Sequence, residues 1–264
     1  MNLIPSRLVR ESLTDRSVNA RAVGGVILTF SIWCLLSYGG FLRRDFLPSP
    51  GDVISALGRL HTEQALVRSA FASMIRVGLG FLASLAVAFP LGVACGSIPR
   101  LKAWIFPTLE PLRVLPIAGI LPLTILWFGI DETQKVAALF LGTVFFLCVA
   151  VGSAIESVNP TYLSLAATLG ASGWQRITKV LIPAAGPTIW ETCRNLFGVV
   201  YSYLLVAEAV NAPYGLGALT IAAQRRQHID EVFALILVIL VLGYLSDALI
   251  KWAGRNLFPW TEMP

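Results

Sequence analysis

Residues 159–187 read NPTYLSLAATLGASGWQRITKVLIPAAGP, and this stretch decides how the chain is organised. Asn159 has the side chain of a helix cap, and Pro160 sits where a first-turn residue loses nothing by lacking an N–H. A short helix then runs through Tyr162, Leu165, Ala166 and Leu169 and stops at Gly170, a residue suited to the left-handed backbone that ends helices. At about 1.5 Å per residue this helix is roughly 15 Å long. Ser172, with Gln175 three residues on, has capping-box spacing and opens a second helix. Pro183 and Pro187 are expected to end that helix and start the next apolar run. Leu163, Leu165, Ala166, Ala167 and Leu169 are more apolar surface than so short a helix shelters alone. Either it packs back under the body of the protein, or it docks into a groove on a partner, the alanines permitting close approach.

Working outward, this segment is a polar interruption between two long apolar runs. Hydrophobic residues make up 56% of the 264-residue chain and charged residues 13%, against about 25% charged in soluble domains; the mean hydropathy is +0.74. That much apolar surface needs the bilayer as part of its solvent, which excludes a soluble enzyme, a disordered chain and a nucleic-acid binder. A spanning helix takes about 20 apolar residues. The runs 23–42, 71–96, 104–128, 136–155, 188–210 and 232–252 predict an all-α membrane protein with about six transmembrane helices. A polar arm, residues 1–22, precedes a single membrane domain, residues 23–264. The first run is too long for a signal-peptide core and lacks a cleavage site after it. The apolar residues of 52–75 recur at helical spacing and read as an interfacial helix leading into the second span.

Six spans put both termini on one side. With the N-terminus inside, ten Lys/Arg face the cytoplasm (Arg7, Arg10, Arg16, Arg21, Arg100, Lys102, Arg176, Lys179, Lys251, Arg255) and seven face out (Arg43, Arg44, Arg59, Arg68, Lys135, Arg225, Arg226). The bias favours cytoplasmic termini and puts the 156–187 loop inside. Cys34, Cys95, Cys148 and Cys193 each sit singly in apolar sequence and read as small buried hydrophobes. His61 and His228 are too far apart in polar segments to suggest a metal site or a catalytic triad.

The pattern Leu165-Ala166-Ala167-Thr168-Leu169-Gly170-Ala171, followed by Val180-Leu181-Ile182-Pro183 and Pro187, resembles the "EAA" coupling loop of ABC importer membrane subunits. Residues 46–52 (FLPSPGD), 121–135 (LPLTILWFGIDETQK) and Ala207-Glu208 extend the likeness to the permeases of sulfonate, taurine, nitrate and bicarbonate importers. Two positions depart from the family pattern. Ser164 and Leu165 stand where the family has its glutamate and first alanine, and Val114 replaces the first proline of an Arg-Pro-x-Pro run that keeps Arg113 and Pro116. The resemblance implies a type I ABC importer permease fold in a bacterial inner membrane. It implies a homodimer with a second copy of the chain, an extracytoplasmic solute-binding protein, and cytoplasmic ATPase subunits that grip the loop at Ser164, Leu165, Ala166, Ala167, Gly170, Ala171, Arg176 and Pro183. The substrate it implies is a small anion. No G-x-x-x-x-G-K-[ST] phosphate loop occurs in the chain, so ATP and magnesium are expected in the partner subunits and no cofactor in this one.

Charges at membrane depth cost about 2.5–3.5 kcal/mol at a helix centre, so each needs a reason. Glu110 and Arg113, and Glu191 and Arg194, have helical spacing for pairing; alternatively either arginine lends positive potential to an anion path. Arg76 and Glu208 lack a local partner and must pair between helices or face water, with Glu208 a candidate gate. Pro107, Pro111, Pro116 and Pro122 place the third span beside a central pathway, where Thr124, Tyr201 and Tyr203 are candidate lining groups or simply interhelical hydrogen bonders. Gly92 and Gly96 have the spacing of a close helix crossing. The alternative function is a self-sufficient secondary transporter or channel for a small anion; it calls for a matching pair of broken helices, which the sequence does not display. An integral-membrane enzyme calls for a cluster of His, Asp and Glu at one interface, which the two distant histidines cannot supply.

Overall fold

The structure is a computed structural model and describes residues 15–210 and 212–260. Arg7 and Arg10 of the N-terminal arm lie outside the described residues. Eleven α-helices follow in order among these: α1 (Asp15–Tyr38), α2 (Pro50–Glu63), α3 (Leu66–Ser97), α4 (Pro99–Leu112), α5 (Ile117–Phe128), α6 (Glu132–Glu156), α7 (Pro160–Thr168), α8 (Gly173–Arg176), α9 (Ile182–Glu208), α10 (Leu216–Arg225) and α11 (Ile229–Leu257). A π-helical turn, Ile177–Leu181, joins α8 to α9.

The crossing of α3 on α6 organises the molecule. Along α3, Gly80, Ser84, Ala88, Gly92 and Gly96 recur every four residues and form one ridge of small side chains. A Cβ added at Gly92 would lie 2.7 Å from the Val151 Cβ, and one at Gly96 would lie 2.5 Å from the Gly152 carbonyl oxygen. The Ser84 hydroxyl sits 2.8 Å from its own helix at the Gly80 carbonyl and 3.1 Å from the Phe140 carbonyl of α6. The glycine spacing noticed at Gly92 and Gly96 thus serves a crossing inside the chain. Helix α9 packs on α6 and α3 through Ile189, Cys193, Val200 and Leu204, and α11 packs on α9. Cys95, Cys148 and Cys193 are buried and Cys34 half-buried, all four as free thiols.

Among the described residues three helices, α3, α6 and α11, are long and apolar enough to cross a membrane on length and composition alone, and α4 with α5 makes a fourth as a broken pair. Helix α1 is apolar over Val23–Tyr38, a shorter stretch, and the 27-residue α9 carries Glu191, Arg194 and Glu208 along its apolar length.

Three sequence expectations need correction. The run 104–128 is two helices bent by 101°, because Pro116 has no N–H to give and forces Leu115 away from helical backbone. The chain turns there on bonds from Val114 to the Pro111 carbonyl and from Leu115 to the Leu112 carbonyl. The segment 52–75 is also two helices, divided at Ala65, whose φ is +49°. The apolar face of α2 (Val53, Ala56, Leu60) is buried on α10 and α11 against Leu216, Ala223 and Leu235, so it meets protein, not the bilayer interface. Lys135, counted with the outer loop charges, is 1% exposed, folded back toward Glu132 at 3.5 Å.

Candidate coupling loop and pathway residues

The loop 156–187 forms as its sequence prescribes up to Arg176. The Asn159 side chain accepts the Thr161 N–H at 2.9 Å and caps α7. At the other end the Ala171 N–H reaches the Ala166 carbonyl at 2.9 Å and the Gly170 N–H the Ala167 carbonyl at 3.0 Å, the paired bonds of a Schellman turn, with Gly170 at φ +78°. Ser172 and Gln175 exchange side-chain and backbone bonds at 3.3 and 2.9 Å, which starts α8. Beyond Arg176 the expectation fails: Pro183 and Pro187 do not end this helix. The backbone stays helical through Ile182, whose N–H bonds to the Ile177 carbonyl five residues back. A turn widened in this way makes room for the Pro183 ring, so the loop runs without a break into α9.

The surface of the loop is divided. Ala166 is buried, and Leu163 packs on the core. Leu165, Leu169 and Trp174 stand out, with Leu169 87% exposed; Ser164, Ala167 and Gly170 are exposed beside them, Ala171 and Arg176 half-buried. Tyr162, Leu165, Leu169, Lys179, Pro183 and Trp260 surround an open hollow of about 450 Å³.

The pathway candidates divide into two groups. Arg113, Pro116 and Tyr203 come together with Val114, Ile117 and Phe146 around a second hollow of about 520 Å³, at the break between α4 and α5. Arg113 is exposed there, and no ion pair joins it to Glu110 among the described residues; its helix ends at that residue, so the expected pairing along the helix is not made. The others are engaged inside the chain. Thr124 is fully buried and accepts a bond from Gln134 at 3.0 Å. Tyr201 is joined to Ser246 of α11 at 2.9 Å. Arg194 pairs with Glu191 at 3.0 Å, as its spacing suggested, and with Asp247 of α11 at 2.9 Å.

The model of the family described as "Binding-protein-dependent transport system inner membrane component" matches residues 88–258. The chain belongs to this family. The permease is 28% identical over 269 residues to the taurine transport system permease protein TauC of Escherichia coli, covering 97% of this chain and 98% of that one. It is 30% identical over 230 residues to SsuC of Bacillus subtilis, named for aliphatic sulfonates transport, covering 87% and 83%. Among solved structures it is similar to the MetNI methionine ABC transporter in inward-facing conformations (TM-score 0.65, 19% identity, 74% of this chain and 95% of that one). It is similar too to a bacterial alginate ABC transporter (TM-score 0.60, 15% identity, 94% and 98%). The all-helical ABC importer permease fold expected from the loop is therefore the fold the permease has.

Sequence reasoning found Arg76 and Glu208 but not what they meet. Glu208, fully buried at the end of α9, accepts from Arg76 at 2.5 Å, from the Ser73 hydroxyl at 2.8 Å and from the Gly217 N–H at 2.8 Å. Arg76 also grips Glu132 with two bonds of 2.6 and 2.7 Å and donates to the Tyr214 carbonyl at 2.7 Å. The Ser73 hydroxyl takes the Leu216 N–H at 2.9 Å. Side chains of α3 and α9 thus satisfy the first free N–H groups of α10. Gly215 at φ +153° lets the chain pass, since a Cβ there would fall 2.5 Å from a Glu208 oxygen. Arg76 and Glu208 together clamp four helices, and Glu208 does not line open space. Ser73 gave no signal of this in sequence, because its partners Glu208 and Leu216 lie 135 and 143 positions away, and a glycine beside a carboxylate announces nothing by its type.

Proposed function

We propose that the permease forms half of the translocation pathway of an ATP-driven importer for a small anion of the sulfonate or taurine class, with a second copy of the chain supplying the other half. An extracytoplasmic solute-binding protein delivers the substrate. Separate ATPase subunits bind ATP and magnesium and seize the 156–187 loop at the cytoplasmic face of the bacterial inner membrane, where both termini also lie. The names of the taurine and aliphatic sulfonate relatives support the substrate class, and the lack of a phosphate loop in the sequence supports separate ATPases.

One observation carries the coupling role: Leu165, Leu169 and Trp174 stand exposed on a loop whose turns are fully hydrogen-bonded. A rigid apolar knob of this kind fits a groove in a partner. Its continuity with α9 gives a displacement of the loop a direct route of about 40 Å to the clamp at Glu208. Arg113, exposed beside Pro116 and Tyr203, is placed to attract an anion into the gap between two protomers. The test is co-purification of the tagged permease from its host in mild detergent. A nucleotide-binding subunit at one-to-one ratio, crosslinked through Ala167→Cys, supports the proposal. A chain that purifies alone and transports in vesicles without ATP replaces it with a secondary transporter.

A further inference from the structure

A cleft of about 710 Å³ lies between α3, α9 and the end of α11, walled by Phe81, Leu85, Phe89, Trp190, Phe197 and Trp260. Its aromatic wall is fixed. The Trp190 indole N–H donates to the Ile250 carbonyl at 2.9 Å, Phe258 stands edge-on to Trp190 and Trp260, and a Cβ on Gly186 would lie 2.7 Å from the Phe258 ring. An apolar cleft of this size is uncommon in a close-packed protein. It opens beside α11, of whose apolar window only 11% is buried, so the surrounding medium is lipid.

The chemistry of the mouth is one-sided. Pro183 and Trp260 also wall the hollow that holds Lys179, and Lys251 follows Ile250 on α11. Lys179, Lys251 and Arg255 make no ion pair among the described residues. No acidic side chain lines either cavity, and the nearby Glu191 and Asp247 are both taken by Arg194. We propose that the cleft holds an acyl chain of an anionic phospholipid whose headgroup sits on Lys179 and Lys251. Assignment to the inner leaflet rests on the cytoplasmic placement of the 156–187 loop; the site itself does not, and the test below reads it whichever way the chain is inserted.

The test uses the permease with its ATPase subunits, Trp190 retained and the other six tryptophans replaced by phenylalanine, in phosphatidylethanolamine vesicles containing a lipid with brominated acyl chains. Brominated phosphatidylglycerol is expected to quench Trp190 at a mole fraction about fivefold or more below that needed with brominated phosphatidylethanolamine. The double variant Lys179→Gln, Lys251→Gln is expected to erase that preference. Equal quenching by the two lipids in the parent overturns the proposal, as does quenching by neither, which means that protein covers the cleft. Where the single-tryptophan protein fails to assemble, native mass spectrometry of the unaltered complex decides. Phosphatidylglycerol retained through delipidation and lost in the lysine variant supports the site; none retained, or equal retention in the variant, refutes it.

Discussion

The guanidinium of Arg76 meets the carboxylate of Glu208 at 2.5 Å, 132 residues apart in the chain and both out of reach of solvent. Removing one member of a buried pair strands the other, at a cost of about 3–5 kcal/mol. Arg76→Leu is therefore expected to lower the unfolding temperature of the purified complex sharply. Glu208→Gln costs less, because its amide keeps a place among Ser73 and Gly217. A loss from Arg76→Leu no larger than that from Arg43→Leu, whose pair with Asp45 is open to water, counts against the clamp.

Gly170 holds φ +78° at the end of α7. A β-branched side chain at a left-handed position costs about 1–2 kcal/mol and undoes the Schellman bonds. Gly170→Val should leave the protein inserted while separating ATP hydrolysis from uptake. Full ATP-driven uptake in that variant removes the loop from the coupling role.

Arg113 carries an exposed charge at the α4–α5 break and, among the described residues, is held by no carboxylate. Arg113→Gln should reduce anion uptake by about fivefold to tenfold, the worth of about 1–1.4 kcal/mol of lost attraction, while assembly with the ATPase stays intact. The loss should shrink on adding salt if the attraction is long-ranged. Unchanged uptake returns Arg113 to a structural role.

The α3–α6 crossing has no spare room. Gly92→Leu drives a side chain into Val151 and the Cys148 carbonyl and is expected to abolish stable membrane insertion, measured as full-length protein resistant to alkaline extraction. The same substitution at Gly24, where nothing lies within 4 Å, should be tolerated.

Asp52 closes α2 by accepting from the Ser49 N–H at 3.0 Å and the Ser49 hydroxyl at 2.7 Å. These bonds hold its carboxyl below the usual carboxylate range. A lowered folded-state pKa means that the stabilisation is complete above the unfolded value, about 3.9, and fades as pH falls through the folded one. Ser49→Ala should cost about 1 kcal/mol at neutral pH, and the difference from the parent should shrink in strong acid to what the cap bond from the Asp52 N–H to the Ser49 hydroxyl contributes.

Much of the loop was legible because its structure is local. Asn159, Gly170, Ser172 and Gln175 each act on backbone within about five residues, and residue type alone states the role. The four prolines of the third span mark it as an unusual helix, but neither the break at Pro116 nor its angle could be read from them, since both depend on what α5 packs against. Tertiary facts were less legible. The apolar face of α2 looks the same whether it meets lipid or α11, and Lys135 reads as a loop charge until it is found buried in the first turn of α6. Pro183 and Pro187 signal a helix end in most contexts; a single widened turn at 177–181 reverses that meaning, and nothing in the residue types announces it.

The ridge of Gly80, Ser84, Ala88, Gly92 and Gly96 also governs how the chain is threaded. Helices α3 and α6 touch backbone to backbone, which leaves no lane between them for the 34 residues that separate Ser97 from Glu132. That connecting segment must travel round the outside of the pair, and its fold at Pro116 is the detour. During synthesis α3 has only α2 and α4 beside it until α6 emerges, so the ribosome finishes α4 and α5 before the main contact of α3 can form. The order of manufacture is written into five small residues, and a delay in delivering α6 is the step at which this protein is most exposed to misassembly.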